Sequence, residues 1–133
     1  MPDEHQLDQR IITALREDSR ISNADLAARM GLSASSCWRR VRALEDAGVI
    51  RRYTVDVNDA AIGLAFKAIV HVQMTRHDRG LVKDFVRMIR TKDEVRACYA
   101  TTGGSDYHLH VVCPDLDAYN RFLEDFLFTI PAV

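Results

Sequence analysis

"ISNADLAARMGLSASSCWRRVRALEDAGVI", residues 21–50, decides how this chain of 133 residues is read. Ser22 stands before Asn23-Ala24-Asp25 as an N-cap hydroxyl stands before a helix with an acidic residue three places on. Leu26, Ala27 and Met30 make an apolar face, and Gly31 sits where a left-handed C-terminal cap is needed. Only Leu32 intervenes before Ser33, a second N-cap, and the next helix runs toward the stop signal at Gly48. Two helices joined so tightly, with the small Ala27 at their crossing, predict a helix-turn-helix unit.

The second helix divides by face. At 100° per residue Cys37, Val41 and Leu44 cluster on one side, and Ser35, Arg39, Arg42 and Asp46 lie opposite, with Ser36 and Arg40 at the margins. Ser35, Ser36 and Arg39, near the helix start, suit base edges, and Arg40 and Arg42 suit phosphates. With Ser33 these residues form the candidate DNA-binding set. Trp38, at the flank, is expected to pack against the domain, because a duplex offers no unstacked base. The formal charge of the whole chain is -1, but residues 29–52 set six arginines (Arg29, Arg39, Arg40, Arg42, Arg51 and Arg52) against Glu45 and Asp46. A charged helix face is ordinarily just solvated; the preceding capped helix, the glycine turn and the local positive charge together favour DNA.

Working outward, "LDQRIITALRED" carries Leu7, Ile11 and Leu15 at helical spacing and predicts a first helix. After Gly48, "VIRRYTVDV" turns β-branched and aromatic and predicts a strand, on which Arg51 and Arg52 serve equally as wing-like phosphate contacts or as surface residues. Residues 58–65, "NDAAIGLA", mark a boundary. Three segments follow from this reading: a helix-turn-helix domain over 1–49, a hinge strand and linker over 50–65, and a second domain over 66–133.

The second domain has another rhythm. "FKAIVHVQMT" alternates as a strand, and "GLVKDFVRMIRT" spaces Leu81, Val82, Phe85, Val86 and Ile89 as an amphipathic helix. "EVRACYATT" and "DYHLHVVC" are strands around a glycine-containing turn, and "DLDAYNRFLEDFLFTI", capped by Asp115, is a further helix. The order β-α-β-β-α is one strand short of a ferredoxin-like β-α-β-β-α-β pattern, so the fold class is α+β with the last strand missing.

Composition sets limits. Hydrophobic content of 47% and charged content of 28% are those of a folded globular chain. The longest apolar run, "AAIGLAF", falls far short of the ~18 residues of a membrane span, and a cytoplasmic protein is expected. Cys37, Cys98 and Cys113 lack a C-x-x-C arrangement and are expected as buried, reduced thiols, with no cofactor implied. Ser105, Asp106, His108 and His110 do not assemble into an acid, base and nucleophile set, so no enzyme is expected. His108 and His110, two apart on one strand face and joined by His71 from a neighbouring strand, offer a metal-responsive alternative.

Along nearly its whole length the string resembles the leucine-responsive regulatory protein/AsnC (feast/famine) family of transcription regulators, with "LSASSCWRRVRALEDAGVI" and "TGGSDYHL" as the most specific stretches. The resemblance implies a DNA-binding head, a hinge strand and a ferredoxin-like effector domain that dimerises through its sheet, with dimers building octamers or related discs. It also implies a small effector, commonly an amino acid, held between dimers, with Thr102, Gly103, Gly104, Ser105 and Asp106 forming part of its pocket. The chemistry suits this: N–H groups on a glycine turn match a carboxylate, and Asp106 matches an α-ammonium group. Without DNA binding, the same loop would make an amino-acid-binding module; without the resemblance, "TTGGSD" reads as a plain hairpin turn.

Overall fold

A computed structural model describes residues 3–75 and 77–133. The chain divides into two compact units, Met1–Asp56 and Val57–Val133.

The first unit is three helices: α1 (Glu4–Glu17), α2 (Asn23–Met30) and α3 (Ala34–Asp46). The caps fall where local chemistry demands them. Ser22 Oγ accepts from the Asp25 N–H at 3.0 Å, and Ser33 Oγ accepts from the Ser36 N–H at 3.2 Å. Gly31 takes φ 70°, which lets the Leu32 N–H reach back to the Ala27 carbonyl at 2.9 Å and turns the chain at once into α3. Gly48 ends α3 in the same way, with the Val49 N–H on the Leu44 carbonyl at 3.0 Å. Ile11, Ala14, Leu26, Ala27, Cys37 and Leu44 form the buried core of this unit.

One expectation fails here. Residues 51–58 form no strand, although their composition favours one. A strand is stable only when its N–H and C=O groups are paired, and among the described residues this stretch has no strand partner. Tyr53, Val55 and Val57, alternating as strand residues do, are all exposed, Val55 at 78%.

In the second unit a 3-10 turn (Asp59–Ile62) leads into β1 (Phe66–Val72), α4 (Arg79–Ile89), β2 (Val95–Ala100), β3 (Tyr107–Cys113), α5 (Leu116–Asp125) and a closing 3-10 turn (Leu127–Thr129). The sheet is antiparallel in the order β1-β3-β2, with a register shift between Val95 and Ala97. It carries three strands, as the β-α-β-β-α order predicts. One face is covered: Val72, Leu109, Val111 and Cys113 meet Phe85 and Ile89 of α4, Phe122 of α5, and Leu127 and Ile130 beyond it. The other face, with Lys67, Ile69, His71, Tyr99 and His110, is exposed. The final helix is shorter than its apolar spacing predicts, because at Phe126 the backbone leaves helical geometry (φ -127°, ψ -66°). That break delivers Leu127 and Ile130 to the core, while Leu116 stays exposed. Past it the chain returns beside β1, and the Thr75 N–H donates to the Ala132 carbonyl at 2.7 Å.

Cys37 and Cys113 are buried, as expected, but Cys98 is exposed. Burial pushes the Cys37 and Cys113 thiols up; Cys98 is also pushed up by desolvation, opposed by the Arg90 charge.

Candidate nucleic-acid interface and effector loop

The stripe Ser35, Trp38, Arg39, Arg42 follows i, i+3, i+4, i+7 along α3, and all four residues are exposed. The serines at its start are organised by the cap. Ser33 Oγ lies 2.9 Å from Ser36 Oγ and 3.4 Å from Ser35 Oγ, and Arg39 Nη2 donates to Ser36 Oγ at 3.4 Å. Arg42 has only a loose i, i+4 approach to Asp46, 3.8 Å from Nε to Oδ1 between exposed side chains, which costs little to open.

Arg40 is differently placed. Its Nε donates to Asp8 Oδ1 at 3.0 Å, and its Nη2 lies 2.6 Å from both Asp8 oxygens. Its Nη1 is 3.7 Å from Glu4 Oε2. The hydrogen bonds to Asp8 push the guanidinium pKa further up, against a smaller desolvation effect. The arginine expected on phosphate therefore spends most of its donors holding α3 to α1. No sequence signal could have found this, since the partners are 32 positions apart.

Trp38 reverses an expectation. It does not pack: its side chain is 57% exposed, on the Arg42 side of the stripe. Wheel position at a flank does not decide burial; only a neighbouring element can cover a flank, and Trp38 is left more than half exposed.

The loop after β2 is anchored at both ends. The Thr101 N–H donates to the Asp106 carbonyl at 2.9 Å, Thr101 Oγ1 donates to the Ser105 carbonyl at 2.8 Å, and the Asp106 N–H donates to the Val72 carbonyl at 2.9 Å. Asp106 Oδ2 accepts from the Met74 N–H at 2.7 Å, and Gln73 Nε2 donates to the Gly104 carbonyl at 2.6 Å. Between the anchors Gly103 takes φ 103°. Among the described residues the N–H groups of Thr102, Gly103, Gly104 and Ser105 find no acceptor, so the loop offers donors to an anion. Asp106 is thus half committed to the backbone. Its Oδ1, 3.7 Å from His77 Nε2, remains open to a cation.

On the exposed sheet face one feature agrees with the sequence reading, which sets His71 on a strand beside His108, and a second, around Asp59, escaped it. The His71 and His108 rings stack across β1 and β3, with centroids 4.1 Å apart and planes at 11°. Asp59 lies 3.6 Å from both Lys67 Nζ and Arg96 Nη2, in a cavity of about 500 Å³ that His110 also lines. Among the described residues no three His, Cys, Asp or Glu side chains converge closely enough to hold a metal ion. Among them, too, no helix is long and apolar enough to cross a membrane.

A capped helix-turn-helix head followed by an α+β unit fits the class of DNA-binding regulators with a separate ligand-binding domain. Comparison with known proteins agrees. Residues 4–51 match the winged helix-turn-helix DNA-binding model, and residues 67–133 match the Lrp/AsnC ligand binding domain. The chain is 38% identical to the HTH-type transcriptional regulator AldR of Mycolicibacterium smegmatis, covering 91% of this chain and 71% of that one. It is 32% identical to the leucine-responsive regulatory protein of Escherichia coli, covering 96% and 78%. The fold superimposes with a TM-score of 0.89 on a transcriptional regulator of Neisseria meningitidis solved as its L-Met complex, at 33% identity over 98% of this chain and 82% of that one. The chain belongs to the Lrp/AsnC family of transcription regulators. Its relatives are regulators rather than enzymes, which sets aside a catalytic reading of Ser105, Asp106, His108 and His110.

Proposed function

We propose that this chain is a cytoplasmic, sequence-specific regulator whose DNA affinity or assembly is set by an amino acid held at the Thr102–Asp106 loop. The observation that carries the proposal is the loop itself: among the described residues four N–H groups without acceptors adjoin the Asp106 carboxylate, whose Oδ1 has only a loose approach from His77, complementary to the two charged ends of an α-amino acid. The Neisseria relative bound to L-Met makes methionine the first candidate. At the DNA end, Ser35, Ser36 and Arg39 face base edges and Arg42 faces phosphate. Ser33 contributes by capping the reading helix, and Arg40 by orienting it.

The active form is a homodimer, with dimers assembling further. Exposed Ile69 and Tyr99 on the uncovered sheet face, together with the unpaired Tyr53, Val55 and Val57, are apolar surface of the kind that marks a subunit interface. Two heads then address half-sites about one helical turn, or a multiple of it, apart. Effector binding acts only through its different affinity for the two states of the assembly.

The test has two arms. A thermal-shift screen of the twenty amino acids is expected to reveal a selective stabiliser, because a ligand bound only to the native state raises its stability. Binding to the DNA upstream of the chain's own coding sequence is expected to weaken steeply with salt. Unchanged melting with every amino acid overturns the effector assignment. DNA binding that survives replacement of Arg39 and Arg42 together by alanine overturns the reading helix.

A further inference from the structure

We infer that Trp38 is a sequence-reading residue whose indole packs on the 5-methyl group of a thymine in the major groove. The inference rests on the reading of α3 as the helix that enters the groove, and it adds a contact that the serines and arginines cannot make.

Trp38 is the single tryptophan of the chain, and its side chain is 57% exposed on a helix whose aliphatic residues Val41 and Leu44 are turned to the core. Among the described residues it has no aromatic partner, no cation over its ring and no hydrogen bond from its Nε1–H. What sets Trp38 apart from other exposed apolar residues is its place on α3 beside Arg39 and Arg42, on the face assigned to the groove.

The surroundings select the occupant. Trp38 is three residues from Ser35, four from Arg42 and next to Arg39, so an apolar plate is framed by two exposed cations and a hydroxyl. A hydrophobic protein partner would bury those guanidinium groups without compensation. A duplex matches both parts, since phosphates answer the arginines and the major groove presents one apolar group, the thymine C5-methyl. Stacking on a base is not available in a duplex, so edge contact with a methyl is the interaction that an indole can make there.

The experiment begins with selection of bound sites from random duplexes by the full chain, followed by replacement of each thymine with deoxyuridine, which deletes only the methyl. Wild type is expected to lose affinity about fourfold at one thymine per half-site, the factor for burying one methyl-sized group. Trp38→Ala is expected to bind the thymine and uracil duplexes equally, with unchanged melting because the side chain is exposed. The wild-type indole emission, which reports on this one residue, is expected to change on binding the selected duplex. A Trp38→Ala variant that keeps the wild-type thymine preference overturns the proposal, as does a wild type with no methyl-sensitive position or an unaltered emission. Failure of wild type to select any site overturns the underlying groove reading, a result separable from the others.

Discussion

Arg40 of α3 grips Asp8 of α1 with its guanidinium fork, Nη2 lying 2.6 Å from each carboxylate oxygen and Nε 3.0 Å from one of them. Both side chains are about three-quarters withdrawn from solvent, so this is a directional clamp rather than a screened surface pair. It fixes the rotation of α3 about its own axis, and with it the direction in which Ser35, Trp38, Arg39 and Arg42 point.

Breaking the clamp is expected to act on stability first. Asp8→Ala leaves a largely buried guanidinium with only the exposed Glu4 nearby and is expected to cost about 1–3 kcal/mol in urea unfolding. Arg40→Lys keeps the charge opposite Asp8 but not the fork and is expected to lose a smaller part of that stability.

The same geometry separates the arginines in DNA binding. Arg42→Ala is expected to reduce the slope of log affinity against log salt by about one, the signature of a lost phosphate contact. Arg40→Ala is expected to lower affinity with the slope nearly unchanged, because its donors are held by Asp8. Equal slope changes in the two variants, measured by salt titration, would refute this division.

Gly103 tests the effector loop. A Cβ at this position meets nothing within 4 Å, so Gly103→Ala suffers only from φ 103° and is expected to cost about 1 kcal/mol. Because the strain falls on the stretch carrying the free N–H groups, calorimetry with L-methionine is expected to show weakened binding. Asp106→Ala also frees the Met74 N–H and is expected to abolish the response.

The exposed sheet face is expected to drive self-association. Ile69→Glu places a charge on its apolar part, where Ile69 is 60% exposed, and sedimentation is expected to show a smaller species. The wild-type melting temperature is expected to rise with protein concentration, and that of the variant to stay flat.

The thiols give a pH dependence of definite sign. Cys37 and Cys113 have folded pKa values raised by burial, so the folded state favours the protonated thiol. Their contribution to stability is complete below the ordinary thiol pKa of about 8.5 and is lost as pH rises through the raised values. Native protein at neutral pH is expected to expose Cys98 alone to a thiol reagent, and denaturant midpoints are expected to fall on the alkaline side.

What could be read from the order of residues was whatever is encoded within a few positions. Ser22, Ser33 and Asp115 cap helices because a side-chain oxygen reaches an N–H three residues on. Gly31 and Gly48 end helices because a residue lacking Cβ takes φ near 70° without strain. The alternation of β1 and the helical spacing of α4 likewise assign their faces, and the order of elements then implies the α+β fold.

Burial and partnership were beyond such reading. Trp38 and Leu116 carry apolar side chains at plausible packing positions and are exposed; Cys98 is exposed where its two fellow cysteines are buried. Residues 51–58 have strand composition but, among the described residues, no strand to pair with. Arg40 meets Asp8 across a separation for which no local rule exists. The sequence by itself determined which capped helices form and where they start, because caps, turns and periodicity are local. Only the tertiary structure decided which arginines stay exposed on α3 and which is tied to α1, because that depends on what the fold brings within 3 Å.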